Sequence, residues 1–174
     1  MLMKKNIANI ITAVRIVGAA VLLFIEPLTL PYYIIYTACG LSDAVDGFIA
    51  RALKTQSALG ARLDSIADLT FYAVMFLKVF PRMLEVLDLY VWCVGFAAVA
   101  IRMVSYIFVA AKYRKFSSLH TVYNKIAGLM VFLIPYSLNL AFGMYYCLAA
   151  AIMSDIAAIH ELILHLRKKT YASN

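Results

Sequence analysis

DAVDGFIARALKTQSALGARLDSIAD, residues 43–68, sets four aspartates (Asp43, Asp46, Asp64 and Asp68) inside a chain that is 65% hydrophobic. An ionised carboxylate in hydrocarbon is costly, so each needs a partner or a purpose. The polar break Lys54-Thr55-Gln56-Ser57 is the turn within the stretch. An antiparallel helical hairpin about position 55 leaves Asp46 and Asp64 nine residues from the turn, and Asp43 and Asp68 twelve and thirteen. At the helical rise per residue, all four lie roughly 13–20 Å in from the turn. Asp43 and Asp46 are spaced i, i+3 and Asp64 and Asp68 i, i+4, so each pair shares a helical face.

Two facing pairs make one cluster of four carboxylates, which repulsion and desolvation would destabilise if nothing balanced it. Divalent cations solve both problems, because carboxylate oxygens are preferred ligands of magnesium and manganese. Two such ions can orient and neutralise a phosphate-bearing substrate. The plainer alternative is ion pairing with Arg51, Arg62 or Arg102 as structural glue. Gly47, directly after Asp46, and Gly60, four residues before Asp64, lack a β-carbon and allow a ligand or backbone to come close.

The surroundings point to a membrane. Charged residues make up only 14% of the 174, against about 25% in soluble domains, and mean hydropathy is positive. Apolar runs near the roughly 20 residues a span needs fall at about 8–26, 29–52, 58–80, 86–111, 119–138 and 140–165. The expectation is an all-α integral membrane protein of six transmembrane helices with a polar cavity on its cytoplasmic side. It forms a single domain over 1–174, with a short interfacial segment at about 1–8. Pro27, Pro31 and Pro81 fall at or near span ends, and Pro135 inside the fifth span.

Lys4, Lys5, Arg51, Lys54, Arg62, Lys112, Arg114, Lys115, Lys125, Arg167, Lys168 and Lys169 collect on one side. Lys78 and Arg82, with Glu85 and Asp88, lie on the other. The positive-inside rule then sets both termini in the cytoplasm of a multi-pass cell-membrane protein. The net charge of +7 becomes a property of that face, suited to anionic headgroups; nucleic-acid binding has no other support. Lys4 and Lys5 before an apolar run mimic a signal peptide, but no small-residue cleavage site follows cleanly, so the segment reads as retained. Cys39, Cys93 and Cys147 show no CxxC spacing and read as small hydrophobes in helix packing.

Asp43-x-x-Asp46-Gly47-x-x-Ala50-Arg51, eight residues, then Gly60-x-x-x-Asp64-x-x-x-Asp68 resembles the signature of the CDP-alcohol phosphotransferase (phosphatidyltransferase) family at all eight of its positions. The six-span layout extends the resemblance over most of the chain. It implies a membrane enzyme of phospholipid synthesis that transfers the phosphatidyl group of CDP-diacylglycerol to a small hydroxyl acceptor and releases CMP. It also implies a homodimer with its site open to the cytoplasm and two Mg2+ or Mn2+ ions per site. By that resemblance Asp43, Asp46 and Asp64 hold the metals. Asp68 is the general base, touching a metal as well, and Gly47, Ala50, Arg51 and Gly60 cradle the CDP group. The bare chemistry agrees: Arg51 and cations stabilise a departing CMP, and no Ser-His or Cys-His pair offers a covalent route.

Asn9, Thr12 and Arg15 recur every three residues near the start. They either line the cytoplasmic mouth or form an interfacial amphipathic turn. Lys112, His120 and Lys125 flank the loop before the fifth span, and the pairs His120/Asn124 and Thr121/Lys125 are i, i+4. They read either as acceptor or headgroup contacts or as a basic anchor. Arg102, well inside the fourth span, faces an acceptor phosphate or pairs with Asp155. His160, Glu161 and His165 read as ordinary interfacial residues, and Trp92 and the tyrosines as interface anchors.

Glycerol 3-phosphate users resemble Asp-Pro-x-Ala-Asp-Lys where this chain has Asp64-Ser65-Ile66-Ala67-Asp68-Leu69. Serine users favour Asp-Ser but continue into a Ser-Phe-Gly stretch absent here. The cations Arg102, Lys112 and Lys125 favour a phosphorylated polyol such as glycerol 3-phosphate, with serine or an inositol-type acceptor as the alternative. An alternative of another class is a divalent-cation transporter using the aspartates as its path, against which the fixed charge of Arg51 and the basic rim argue.

Overall fold

A computed structural model describes residues 14–52, 58–113 and 121–167, with side chains over 14–42, 66–111 and 121–166. Every regular element among the described residues is helical. The described part of α1 covers 14–22. It is followed by α2 (Leu30–Ala52), α3 (Ala58–Val86), α4 (Leu89–Tyr113), α5 (Val122–Phe132), α6 (Ile134–Ser137) and α7 (Gly143–Arg167). The chain divides into two compact units, one ending at Pro81 and the other starting at Arg82.

In the first unit α1 runs antiparallel to α2 and parallel to α3. Arg15 reaches both Ser42 and Asp68. At the other end of α1, the Lys78 ammonium on α3 donates to the Leu23 carbonyl at 3.1 Å. Midway, a β-carbon on Gly18 would stand 2.5 Å from Cys39 Sγ, so α1 and α2 approach closely there. The core is aromatic: Tyr32 stacks on Tyr36 and Tyr36 on Phe71, with centroids 5.7 and 4.9 Å apart. Buried Ala19, Leu22, Ala67, Met75 and Val79 fill in around them. The α1–α2 turn holds Leu28 at φ 61, a left-handed conformation unusual for a residue with a β-carbon. The Thr29 hydroxyl tightens the turn by donating to the Glu26 carbonyl at 2.8 Å.

In the second unit α7 packs against both α4 and α5. Small buried residues make this possible: Ala98 on α4, Ala127 on α5, and Ala150, Ala157 and Ala158 on α7. The Tyr146 hydroxyl donates to the Met130 carbonyl at 3.0 Å, and Arg82 Nε to Asn139 Oδ1 at 3.1 Å.

Two expectations about prolines change. Pro81 lies inside α3, which continues to Val86. One missing N–H is a local loss that the flanking turns absorb. The fifth span does not run unbroken over 119–138. α5 stops at Phe132, Leu133 turns the chain, and Pro135 sits in the first turn of the four-residue α6. A proline at 135 cannot donate to the carbonyl of Val131 and its ring crowds that turn, so the helix breaks before it.

Among the described residues two helices, Leu89–Ala111 and Gly143–Leu166, are long and apolar enough to cross a membrane. α2 and α3, 23 and 29 residues long, match a bilayer in length and carry the aspartates. Large apolar side chains face outward throughout, among them Phe24 (89% exposed) and Leu89 (78%). A water-facing monomer rarely exposes so much. Cys39 and Cys147 are buried as expected, whereas Cys93 is exposed.

Candidate active site

The signature residues stand on consecutive helices: Asp43, Asp46, Gly47, Ala50 and Arg51 on α2, and Gly60, Asp64 and Asp68 on α3. Of these, only the side chain of Asp68 lies within the described side chains. Asn9, Thr12 and His120 fall outside the described residues altogether, as does the side chain of Lys112.

Asp68 is held by Arg15. The guanidinium Nη1 donates to Asp68 Oδ1 at 2.8 Å; the arginine side chain is fully buried and the aspartate side chain 40% exposed. Arg15 Nε also reaches Ser42 Oγ at 3.5 Å, and that hydroxyl donates to the Cys39 carbonyl at 2.7 Å. A buried guanidinium needs a counter-charge, since removing one ion of such a pair strands the other. Asp68 supplies it, and its remaining exposure keeps the carboxylate within reach of a substrate. The reading of Arg15 as part of an interfacial amphipathic turn is therefore wrong for this residue: it points into the helix packing, against the acid. Its two contacts also put position 42 of α2 level with position 68 of α3. The hairpin register drawn from the sequence makes the same pairing. Ala67 is fully buried and Leu69 is 73% exposed, so α3 turns from core to surface across the signature's last aspartate.

The second unit holds a polar chain of its own. Arg102 Nη2 on α4 donates to Asn124 Oδ1 on α5 at 3.2 Å. Asn124 Nδ2 donates to Glu161 Oε2 on α7 at 3.0 Å. Glu161 Oε1 lies 3.5 Å from His165 Nε2. Glu161 is 1% exposed and His165 0%, so they are buried in helix packing, not interfacial. Nor does Arg102 pair with Asp155, whose Oδ1 is buried without a hydrogen-bond partner among the described residues. Thr121 is the N-cap of α5, its side chain accepting from the Asn124 N–H. The Thr121/Lys125 spacing is thus the first turn of a capped helix, with Lys125 exposed. The missed pair carried one signal, acid and histidine at i, i+4 on a mostly apolar helix.

No group of three or more metal-ligating side chains occurs among the described residues, three of the four aspartate side chains lying outside them. The donor set itself, four carboxylates on two adjoining helices, suits a hard cation with oxygen ligands. No curated protein and no solved structure matches the chain. A family model does match residues 5–163, that of the transferases of phospholipid synthesis described as CDP-alcohol phosphatidyltransferase. With that match spanning nearly its whole length, and the signature on two adjoining helices, the chain belongs to the CDP-alcohol phosphatidyltransferase family.

Proposed function

We propose that this chain transfers the phosphatidyl group of CDP-diacylglycerol to the hydroxyl of a small phosphorylated polyol such as glycerol 3-phosphate, releasing CMP. We read residues 1–174 as one six-span domain, with both termini and the site in the cytoplasm, working as a homodimer. The observation that carries the reading is Asp68. It is a half-exposed carboxylate held by a buried arginine at the end of a complete phosphatidyltransferase signature.

Asp43, Asp46, Asp64 and Asp68 would hold two Mg2+ or Mn2+ ions, which supply charge neutralisation of the pyrophosphate when bound. The chain's own residues do the rest. Gly47 and Gly60 let the pyrophosphate approach the helix backbones, beside Ala50. Arg51 offers a planar fork to the phosphate that leaves with CMP. Arg15 keeps the Asp68 carboxylate in one orientation. Asp68 takes the proton from the acceptor hydroxyl, and that oxygen bonds to the phosphorus bearing diacylglycerol. The bond from that phosphorus to the bridging oxygen breaks, and the oxygen leaves on CMP. Arg102, with Lys112, His120 and Lys125, supplies candidates for the acceptor's phosphate, and Asn9 and Thr12 candidates for the mouth of the site.

The test is CMP release by the purified protein in nanodiscs, supplied with CDP-diacylglycerol and, in turn, glycerol 3-phosphate, serine, inositol phosphate and inositol. Release with a phosphorylated polyol, lost on chelation and restored by Mg2+ or Mn2+, is expected. Release with serine or inositol alone would move the acceptor. No release with any of them, together with divalent-cation flux in proteoliposomes, would replace the enzyme with a transporter.

A further inference from the structure

We propose that Glu161 is a positioning residue which, acting through Asn124, fixes the Arg102 guanidinium as a binding group for the phosphate of a small soluble substrate. That this substrate is the acceptor rests on the phosphatidyl-transfer reading; the phosphate site itself does not.

The argument is one of hydrogen-bond polarity. A carboxylate only accepts and a guanidinium only donates, whereas a carboxamide does one at each end. Asn124 stands between the two, its Nδ2 on Glu161 at 3.0 Å and its Oδ1 on Arg102 at 3.2 Å. Only this orientation satisfies both neighbours. Glu161, 1% exposed, has no water to turn toward, and His165 Nε2 lies against its other oxygen at 3.5 Å. Asn124 is fixed from below as well, because its backbone N–H is bound by the Thr121 cap at 3.2 Å. The buried acid therefore dictates that an acceptor oxygen faces Arg102.

Arg102 gives up one N–H to that oxygen, and among the described residues it makes no ion pair. A guanidinium has five donors in a rigid fork, so four remain on a part-buried cation that the Asn124 carboxamide links to Glu161. One turn further along α4, the buried Ser105 hydroxyl also has no partner among the described residues. An oriented, partly desolvated fork with unspent donors matches the oxygens of a phosphate, which arginine takes two at a time. Charge agrees: Glu161 anchors the array without contacting Arg102 directly, so the positive charge stays available.

If Gln replaces Glu161, the buried charge that holds Asn124 Nδ2 is lost, and the carboxamide is fixed in front of the guanidinium from the Arg102 side and the Thr121 cap alone. The experiment is thermal unfolding in nanodiscs of neutral phosphatidylcholine, titrated with inorganic phosphate and with glycerol 3-phosphate. It compares wild type, Arg102→Ala, Glu161→Gln and Asn124→Ala. Wild type should be stabilised by both ligands, Arg102→Ala by neither. Glu161→Gln and Asn124→Ala should need about tenfold more ligand, the size of one lost charged hydrogen bond. In turnover, Glu161→Gln should raise the acceptor KM about tenfold while the KM for CDP-diacylglycerol stays put, a split that general destabilisation does not give. Unchanged phosphate affinity in both Glu161→Gln and Asn124→Ala would overturn the proposal. So would stabilisation that appears only when the nanodiscs contain anionic lipid. Failure of wild type to release CMP would count against the reaction alone, since the unfolding titration needs no turnover.

Discussion

Each unit holds an arginine and an acid, and the two pairs are built in opposite ways. In the first, a fully buried arginine touches a carboxylate that is 40% exposed. In the second, a part-buried arginine is separated by an amide from a carboxylate that is 1% exposed. The group left accessible is the acid in one case and the base in the other. An accessible carboxylate can hold cations and accept a proton, and an accessible guanidinium can bind an anion. The buried member touches its partner directly in the first pair and through the Asn124 amide in the second.

The sharpest break in this comparison is Asp68→Asn. It should cut CMP release by about a hundred- to ten-thousandfold, the usual range for a general base, and leave CDP-diacylglycerol binding largely intact. Wild-type turnover in Asp68→Asn would remove the base role and with it the contrast between the units. Next comes Arg15→Met, which fills most of the space but removes the guanidinium from Asp68. Losing one member of a fully buried pair costs about 3–5 kcal/mol. Because Asp68 retains access to solvent, about 1–3 kcal/mol is expected here, read by unfolding in detergent. A Tm unchanged in Arg15→Met would mean the pair is held from outside.

Gly143→Ala tests whether the second unit depends on close helix approach. A β-carbon there would overlap the Ser137 carbonyl oxygen and crowd the backbone of Leu138, so overpacking of about 1–3 kcal/mol is expected, with α7 displaced. If the Asn124–Glu161 bridge depends on the seating of α7, phosphate affinity should fall along with stability. Thr121→Ala removes the α5 cap next to Asn124 and should cost about 1 kcal/mol. Smallest is Glu85→Gln: the Arg82–Glu85 pair at 2.7 Å is exposed on both sides, and such pairs contribute about 0–1 kcal/mol. Salt should abolish even that difference.

Much of the first unit was legible in advance. Aspartates at spacings of three and four around a polar break leave few ways to fold, because helical periodicity fixes which positions share a face. The Arg15 contacts with Ser42 and Asp68 match the level that the hairpin predicts. The partner of Asp68 was not legible. Arg15 lies 53 positions away, and from the sequence it reads equally well as lining the mouth of the site or as interfacial.

The second unit was legible only as apolar helices. Where nearly every position is hydrophobic, periodicity no longer says which side faces in. Glu161 and His165 near a helix end then pass for interfacial residues, and Arg102 pairs on paper with Asp155. Helix packing decided otherwise. It set Asn124 between Arg102 and Glu161, and left Asp155 without the arginine. The prolines divide the same way. Their chemistry is readable, but whether a helix continues past Pro81 or breaks before Pro135 depends on the packing of the turns on either side.

By itself, then, the sequence determined the class of molecule and the carboxylate signature, because composition and helical spacing are local properties. Tertiary structure alone decided which charge meets which and which member of each pair is buried. Ion pairs and hydrogen bonds depend on positions brought within about 3 Å of one another, and only the packed helices bring them there.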